Sequence, residues 1–204
     1  MKTSLNLNKI AEKQVEWDKT QTIVSKTDLY GTILYANEVF IQVSEYSAIE
    51  LVGEPHSIIR HPDMPKVTFK LLWEALKRGE NFHAIIKNLT KTGCYYWVIT
   101  DFTIDKDKSG KPCAYTARRK AVPDGVVKKI EPVYQTLLEI EKIKGEKISE
   151  LYFDAYLKEE IGKTYNNYVV ELFEQECQKE QMIKKNAKSS LKKGLNWFFF
   201  GEYE

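Results

Sequence analysis

Residues 57–76 read SIIRHPDMPKVTFKLLWEAL. Pro65 stands at a natural first helical position, where a missing N–H costs nothing. Beyond it Phe69, Leu72, Trp73 and Leu76 recur at helical spacing on one face until Gly79 stops the run. Ahead of the helix, Arg60, His61, Pro62, Asp63, Met64 and Pro65 crowd a cation, an imidazole, a carboxylate and two prolines into consecutive positions. Two prolines make such a corner stiff, and its charges need partners wherever they are buried. Arg60 and Asp63 are able to satisfy each other and His61 to bond the backbone, so the corner has a structural reading beside any ligand-binding one.

Upstream, QTIVSKTDLYGTILYANEVF begins with a β-branched, alternating stretch from Thr22 to Lys26. Turn chemistry follows from Thr27 to Gly31, then a second short strand, TILY. Asn37 is placed to cap a helix on which Val39, Phe40, Val43 and Tyr46 share one face. Downstream, NFHAIIKNLTKTG, CYYWVITDFTI and PCAYTARRKAV are rich in aromatic and β-branched residues and are separated by turn signals, which predicts three antiparallel strands. Two strands, short helices and three strands close most compactly as an α+β domain, a five-stranded antiparallel sheet with helices on one face and a pocket between the layers. From Lys128 onward, Val133, Leu137 and Leu138, then Ile148, Leu151 and Leu157, then Tyr165, Tyr168, Val169 and Leu172 fall at helical spacings, with Gly145 and Gly162 between the helices. The expected organisation is an N-terminal helical or flexible segment over 1–21, the α+β domain over 22–122, and a helical C-terminal extension over 123–204.

With 31 basic and 29 acidic side chains, the 204-residue chain carries a formal charge of only +2, so nucleic acid is not the expected partner. Cys94, Cys113 and Cys177 are far apart and form no CxxC pair, which suggests neither a disulfide framework nor a thiolate metal site and fits a reducing cytoplasm. The first twenty residues lack the apolar core of a signal peptide, and no run approaches the roughly 20 apolar residues that span a bilayer. Membrane contact is expected only through a partner. Nothing resembles a nucleophile elbow, a metal signature or a phosphate-binding loop, so no enzyme is expected. Six lysines between 179 and 193, followed by LNWFFFG, read as a solvated helix face, with a membrane-surface or receptor contact as the sharper alternative.

The runs TDLYGTILYANEVFIQVSEYS, GEPHSIIRHPDMP, LWEALKRGE and KNLTKTGCYYWV together resemble the PAS domain of the Aer-type energy-taxis receptors, over about residues 22 to 122. The RHPDMP run is the specific part of the match. The resemblance implies a PAS fold that binds FAD, and it implies flavin-binding or pocket roles for Asn37, Arg60, His61, Asp63, Trp73 and Asn88. Phe69 would help wall the ring. Phe82 stands where flavin-binding PAS proteins carry the tryptophan of a W-S-G triplet and would keep an aromatic face there. Haem is the less favoured chromophore, with His56, His61 or His83 as ligands. The resemblance further implies a free-standing cytoplasmic redox sensor for energy taxis whose partner is a methyl-accepting chemoreceptor or another signalling protein, and which is able to pair with a second copy of itself. A cofactor-free interaction module, its pocket filled by Phe69, Trp73 and Phe82, is the competing expectation.

Overall fold

The computed structural model describes residues 13–200, with side chains through residue 186. Strands β1 (Ile23–Thr27) and β2 (Ile33–Ala36) form the expected hairpin. Its turn is built by Asp28, whose Oδ1 accepts from the backbone N–H groups of Tyr30 and Thr32, both at 2.8 Å. Asn37 caps α1 (Glu38–Ser44) through a 3.0 Å bond from the Phe40 N–H. A short helix α2 (Ala48–Leu51) and a 3-10 turn (His56–Ile59) lead through the RHPDMP corner into α3 (Lys66–Lys77). Strands β3 (Phe82–Leu89), β4 (Tyr95–Lys106) and β5 (Pro112–Ala121) complete a five-stranded sheet in the order β2-β1-β5-β4-β3.

Every pairing in the sheet is antiparallel. The pleat places Ile86, Asn88, Phe102, Ala117 and Arg119 on the face toward α3, while Ile85, Lys87, Trp97 and Ile99 take the opposite face. Strand β3 is buried along nearly its whole length, which a strand covered on only one side would not be.

The second cover is the C-terminal extension: α4 (Asp124–Lys144), α5 (Glu146–Tyr156), a π-type turn (Leu157–Ile161) and α6 (Tyr165–Phe200). Gly145 and Gly162 lie at the two joints, as the sequence predicts. Tyr134 of α4 stacks on Trp97 and donates its hydroxyl proton to the Ile85 carbonyl at 2.7 Å. From α6, the Tyr165 hydroxyl accepts from the Ile85 N–H and the Asn166 Oδ1 from the His83 N–H. These helices therefore occupy the open edge of β3, whose backbone groups no strand satisfies. They also reach α3. Pro65 has no side-chain oxygen to cap that helix, and Glu141 of α4 accepts from the Val67 N–H at 3.3 Å, while Glu146 and Glu150 pair with Lys66 and Lys70.

Residues 1–12 of the expected N-terminal segment lie outside the described residues. From Lys13 to Gln21 the chain contains no helix, and Val15 and Lys13 exchange backbone hydrogen bonds with Tyr95 at 2.9 and 3.0 Å. The lysine run reaches α6 beyond residue 186, and the side chains of that part, with those of the NWFFF stretch, are likewise outside the described residues.

Candidate functional site

Between the sheet and α3 lies a cleft of about 280 Å³, close to the lower end of the range of about 300 to 1,000 Å³ usual for small-molecule sites. Phe69, Leu72, Trp73 and Leu76 form one wall, as the helical spacing predicts, and Ile86, Asn88, Phe102, Tyr115, Ala117 and Arg119 form the floor. Tyr30, which is 91% exposed, stands at the mouth, and Ile59 and Arg119 at the fully buried end. Trp73 meets the Tyr115 ring edge-on with centroids 5.9 Å apart. Gly31 lets the hairpin turn pass beneath the indole: its φ is +88°, and a Cβ there would come within 3.2 Å of the Trp73 ring.

Four of the residues singled out from sequence line this cleft. Phe69 and Trp73 are wall residues, and Arg60 lies with its guanidinium carbon 4.1 Å from the centre of the Phe69 ring, donating to the Met64 carbonyl at 3.3 Å. Asn88 is 4% exposed, and its Nδ2 has no hydrogen-bond partner among the described residues. A buried amide donor without an acceptor is uncommon unless something else supplies one.

The other four do not line it. Asn37 spends its side chain on the backbone, accepting from the Val24 and Phe40 N–H groups and donating to the Thr22 carbonyl, so it ties β1 to α1. His61 is buried against Tyr95, and its Nδ1 accepts from the Asp63 N–H at 3.1 Å. Burial, reinforced by the Lys87 ammonium and only partly opposed by Asp63, holds its pKa down at about 4, so the 3.5 Å approach of the Asp63 carboxylate is not an ion pair at neutral pH. Asp63 instead pairs with Lys87 at 2.9 Å. Phe82, at the first position of β3, stacks on Tyr165 of α6 and belongs to the packing of the extension.

Arg60 and Asp63 thus do not satisfy each other. The corner is a joint: Arg60 turns toward the cleft, Asp63 reaches Lys87 on β3, and the Met64 Sδ accepts from the Lys87 N–H.

Two lining residues carry polar chemistry outside the flavin set read from sequence: Arg119, which that reading left out, and His56, which it named only as a haem ligand. Arg119 is 1% exposed at the end of the cleft. His56, in the 3-10 turn, presents its Nε2 to the Arg119 Nη2 at 2.7 Å and to the Ser25 Oγ at 3.1 Å. Burial and the neighbouring guanidinium push the His56 pKa down to about 3, so the imidazole is neutral and its Nε2 lone pair is an acceptor. A signal for Arg119 was available in AYTARRKAV: strand alternation from Tyr115 through Ala117 selects Arg119, not Arg118, as the inward residue. His56 had no comparable pattern. Among the described residues no group of three or more histidines, cysteines or acids is placed to hold a metal ion.

Residues 33–118 match the family model of the PAS fold. The chain is 41% identical over 116 residues to the aerotaxis receptor of Escherichia coli, a match covering 57% of this chain and 23% of the receptor. It is 29% identical over 82 residues to the biofilm dispersion protein BdlA of Pseudomonas aeruginosa, covering 40% of this chain and 20% of that protein. The matched region is therefore less than a quarter of either relative's length. Among solved structures, one from a study of light-oxygen-voltage domain mechanism with a flavin analogue superposes with a TM-score of 0.51 at 19% identity, covering 57% of this chain and 89% of that one, which establishes likeness of fold alone.

Proposed function

Residues 33–118 of this chain are a PAS domain, and from that premise we propose that the protein is a cytoplasmic redox sensor whose cleft holds FAD and whose C-terminal helices pass the state of the site to a chemoreceptor by contact, without chemical turnover. The supporting observation is the unpartnered Asn88 amide on the floor of a cleft walled by Phe69 and Trp73. A flavin needs a flat apolar slot and hydrogen-bond partners for a polar edge, and these residues offer both. The space offered to the ring is the cleft of about 280 Å³. It stays open between Phe69 and Trp73, with Phe82 turned away into the helices, which favours a ligand site over a self-filled interaction module. Haem gains no support, because the Nε2 of His56, the histidine lining the cleft, is already held by Arg119 and Ser25.

When bound, a flavin supplies reversible electron acceptance, and the rest falls to the protein's side chains. Trp73 and Phe69 hold the ring and exclude water, Asn88 donates to its edge, and Arg60, with a forked guanidinium at the cleft lining, meets phosphate oxygens. Asn88 and Lys87 are adjacent on β3, so a change of charge or hydrogen bonding felt by the first is transmitted along a stiff strand to the second. Lys87 pairs with Asp63 at 2.9 Å and with Glu131 of α4 at 3.4 Å. A differential of about 1 to 3 kcal/mol between two arrangements of that joint is an ordinary coupling energy.

The test is the absorption spectrum of freshly purified protein, with any chromophore released by heat and identified. A two-band yellow spectrum that bleaches on reduction is expected, and Trp73→Ala and Asn88→Ala should each release the chromophore from protein that remains folded. A protein colourless even after incubation with FAD, or an intense Soret band, would overturn the proposal.

A further inference from the structure

Among the described residues two arginines line the cleft, and no carboxylate does. Arg60 is partly exposed and feels Glu141 and Glu146 of the extension. Arg119 is 1% exposed and has no counter-ion among the described residues. Its guanidinium contacts are all neutral: Nη1 donates to the Ser25 Oγ at 3.0 Å and the Ala117 carbonyl at 3.4 Å, Nη2 donates to the His56 Nε2, and the Phe40 ring centre lies 5.4 Å away. Burial lowers its pKa to about 10, which leaves it charged at neutral pH.

A buried cation without an anion is costly, and a strand position can be filled far more cheaply by an apolar side chain. A guanidinium has five N–H donors, and three are used by these contacts. Asn88, on the same floor, adds a buried Nδ2 with no acceptor among the described residues. His56 does not relieve the charge, since its lone pair is committed to the bond. It fixes the orientation of the fork instead. The polar end of the cleft therefore holds more donors than these neutral acceptors take up.

We propose that Arg119, locked by His56 and Ser25, receives the acceptor edge of the cleft's ligand, so that the site selects planar rings whose buried edge carries carbonyl oxygens or negative charge. The assignment rests on the flavin reading above, under which that edge is the carbonyl-bearing pyrimidine side of the ring. It separates ligand recognition from stability, because a residue kept for its ligand is dispensable to the empty fold.

The experiment compares the full-length protein with Arg119→Met, stripped of chromophore, by thermal unfolding and by fluorescence titration with FAD. The empty variant should melt at or above the wild-type temperature while its FAD affinity falls at least tenfold. Lower melting with FAD affinity within twofold of wild type would make Arg119 a structural residue and overturn the assignment. Should Arg119→Met not fold, Arg119→Lys keeps the charge and loses the fork. It should bind FAD at least threefold more weakly, and wild-type affinity in that variant overturns the assignment equally. If the wild-type protein takes up no flavin, the flavin reading and this assignment fail together; if it takes up flavin that the variants hold as tightly, the assignment alone fails.

Discussion

Single side chains set the limits of the site. Gly31→Ala puts a methyl group against Trp73 and demands a left-handed backbone of a residue with a Cβ. We expect a loss of about 1 to 3 kcal/mol in chemical unfolding, together with changed Trp73 fluorescence. Two histidines with lowered pKa values, buried His61 and half-buried His56, contribute to the pH dependence. Each is held neutral in the fold, His56 with its pKa near 3 and His61 near 4, whereas an unfolded chain takes up these protons near pH 6.5. The unfolded state therefore binds more protons below pH 6.5, and stability that is fully present above that pH is lost as the pH falls toward 4. The slope is up to about 1.4 kcal/mol per pH unit for each histidine. Urea midpoints measured from pH 7.5 to 4.5 should show the decline, and His56→Gln should flatten it. Much of the site was legible at this scale. The resemblance carried by the RHPDMP corner led to Arg60, Trp73 and Asn88, and the helical face after that corner added Phe69. Asn37, His61 and Asp63 turned out to serve the frame, because one motif holds both the residues that face a cleft and those that brace them, and spacing does not separate the two.

At the scale of elements, the hairpin, α3 and the three long strands could be read from sequence because each is written locally, in turn residues and apolar period. The docking of α4 to α6 was not legible, because it depends on partners far along the chain: Tyr134 and Tyr165 on Ile85, Asn166 on His83, Glu141 on Val67. Glu141→Gln keeps a weaker acceptor at the start of α3 but removes the charge that complements the helix dipole. It should cost about 0.5 to 1 kcal/mol in urea unfolding. Lys87→Met acts on the joint itself. Lys87 is 8% exposed between Asp63 and Glu131, and an apolar side chain there leaves both acids facing solvent without their cation. The fold should survive, while the response of the extension to reduction, read as protection of α4 amides in hydrogen exchange, should be lost.

Across the whole molecule, the extension serves as the missing neighbour of the edge strand and as a brace on the cleft wall. A chain ending at residue 122 would bare the Ile85 edge and the Trp97 face together. Such a piece is expected to self-associate in size-exclusion chromatography with light scattering, since an unpaired strand edge is a template for pairing. The two-sided burial of β3 has one more consequence, which concerns insertions and deletions. The strand runs in unbroken register with β4 from Phe82 to Leu89, and from Ile85 to Asn88 its odd and even residues answer to different layers. A single inserted residue midway along it would exchange Lys87 for Asn88, turning an ammonium into the cleft and an amide toward Asp63 and Glu131, so the ligand site and the helical cover would be lost in one step. The same insertion in the Thr90–Gly93 turn changes neither face. Length variation among natural variants of this chain should therefore collect in its turns, with β3 held at fixed length by two surfaces that cannot drift independently.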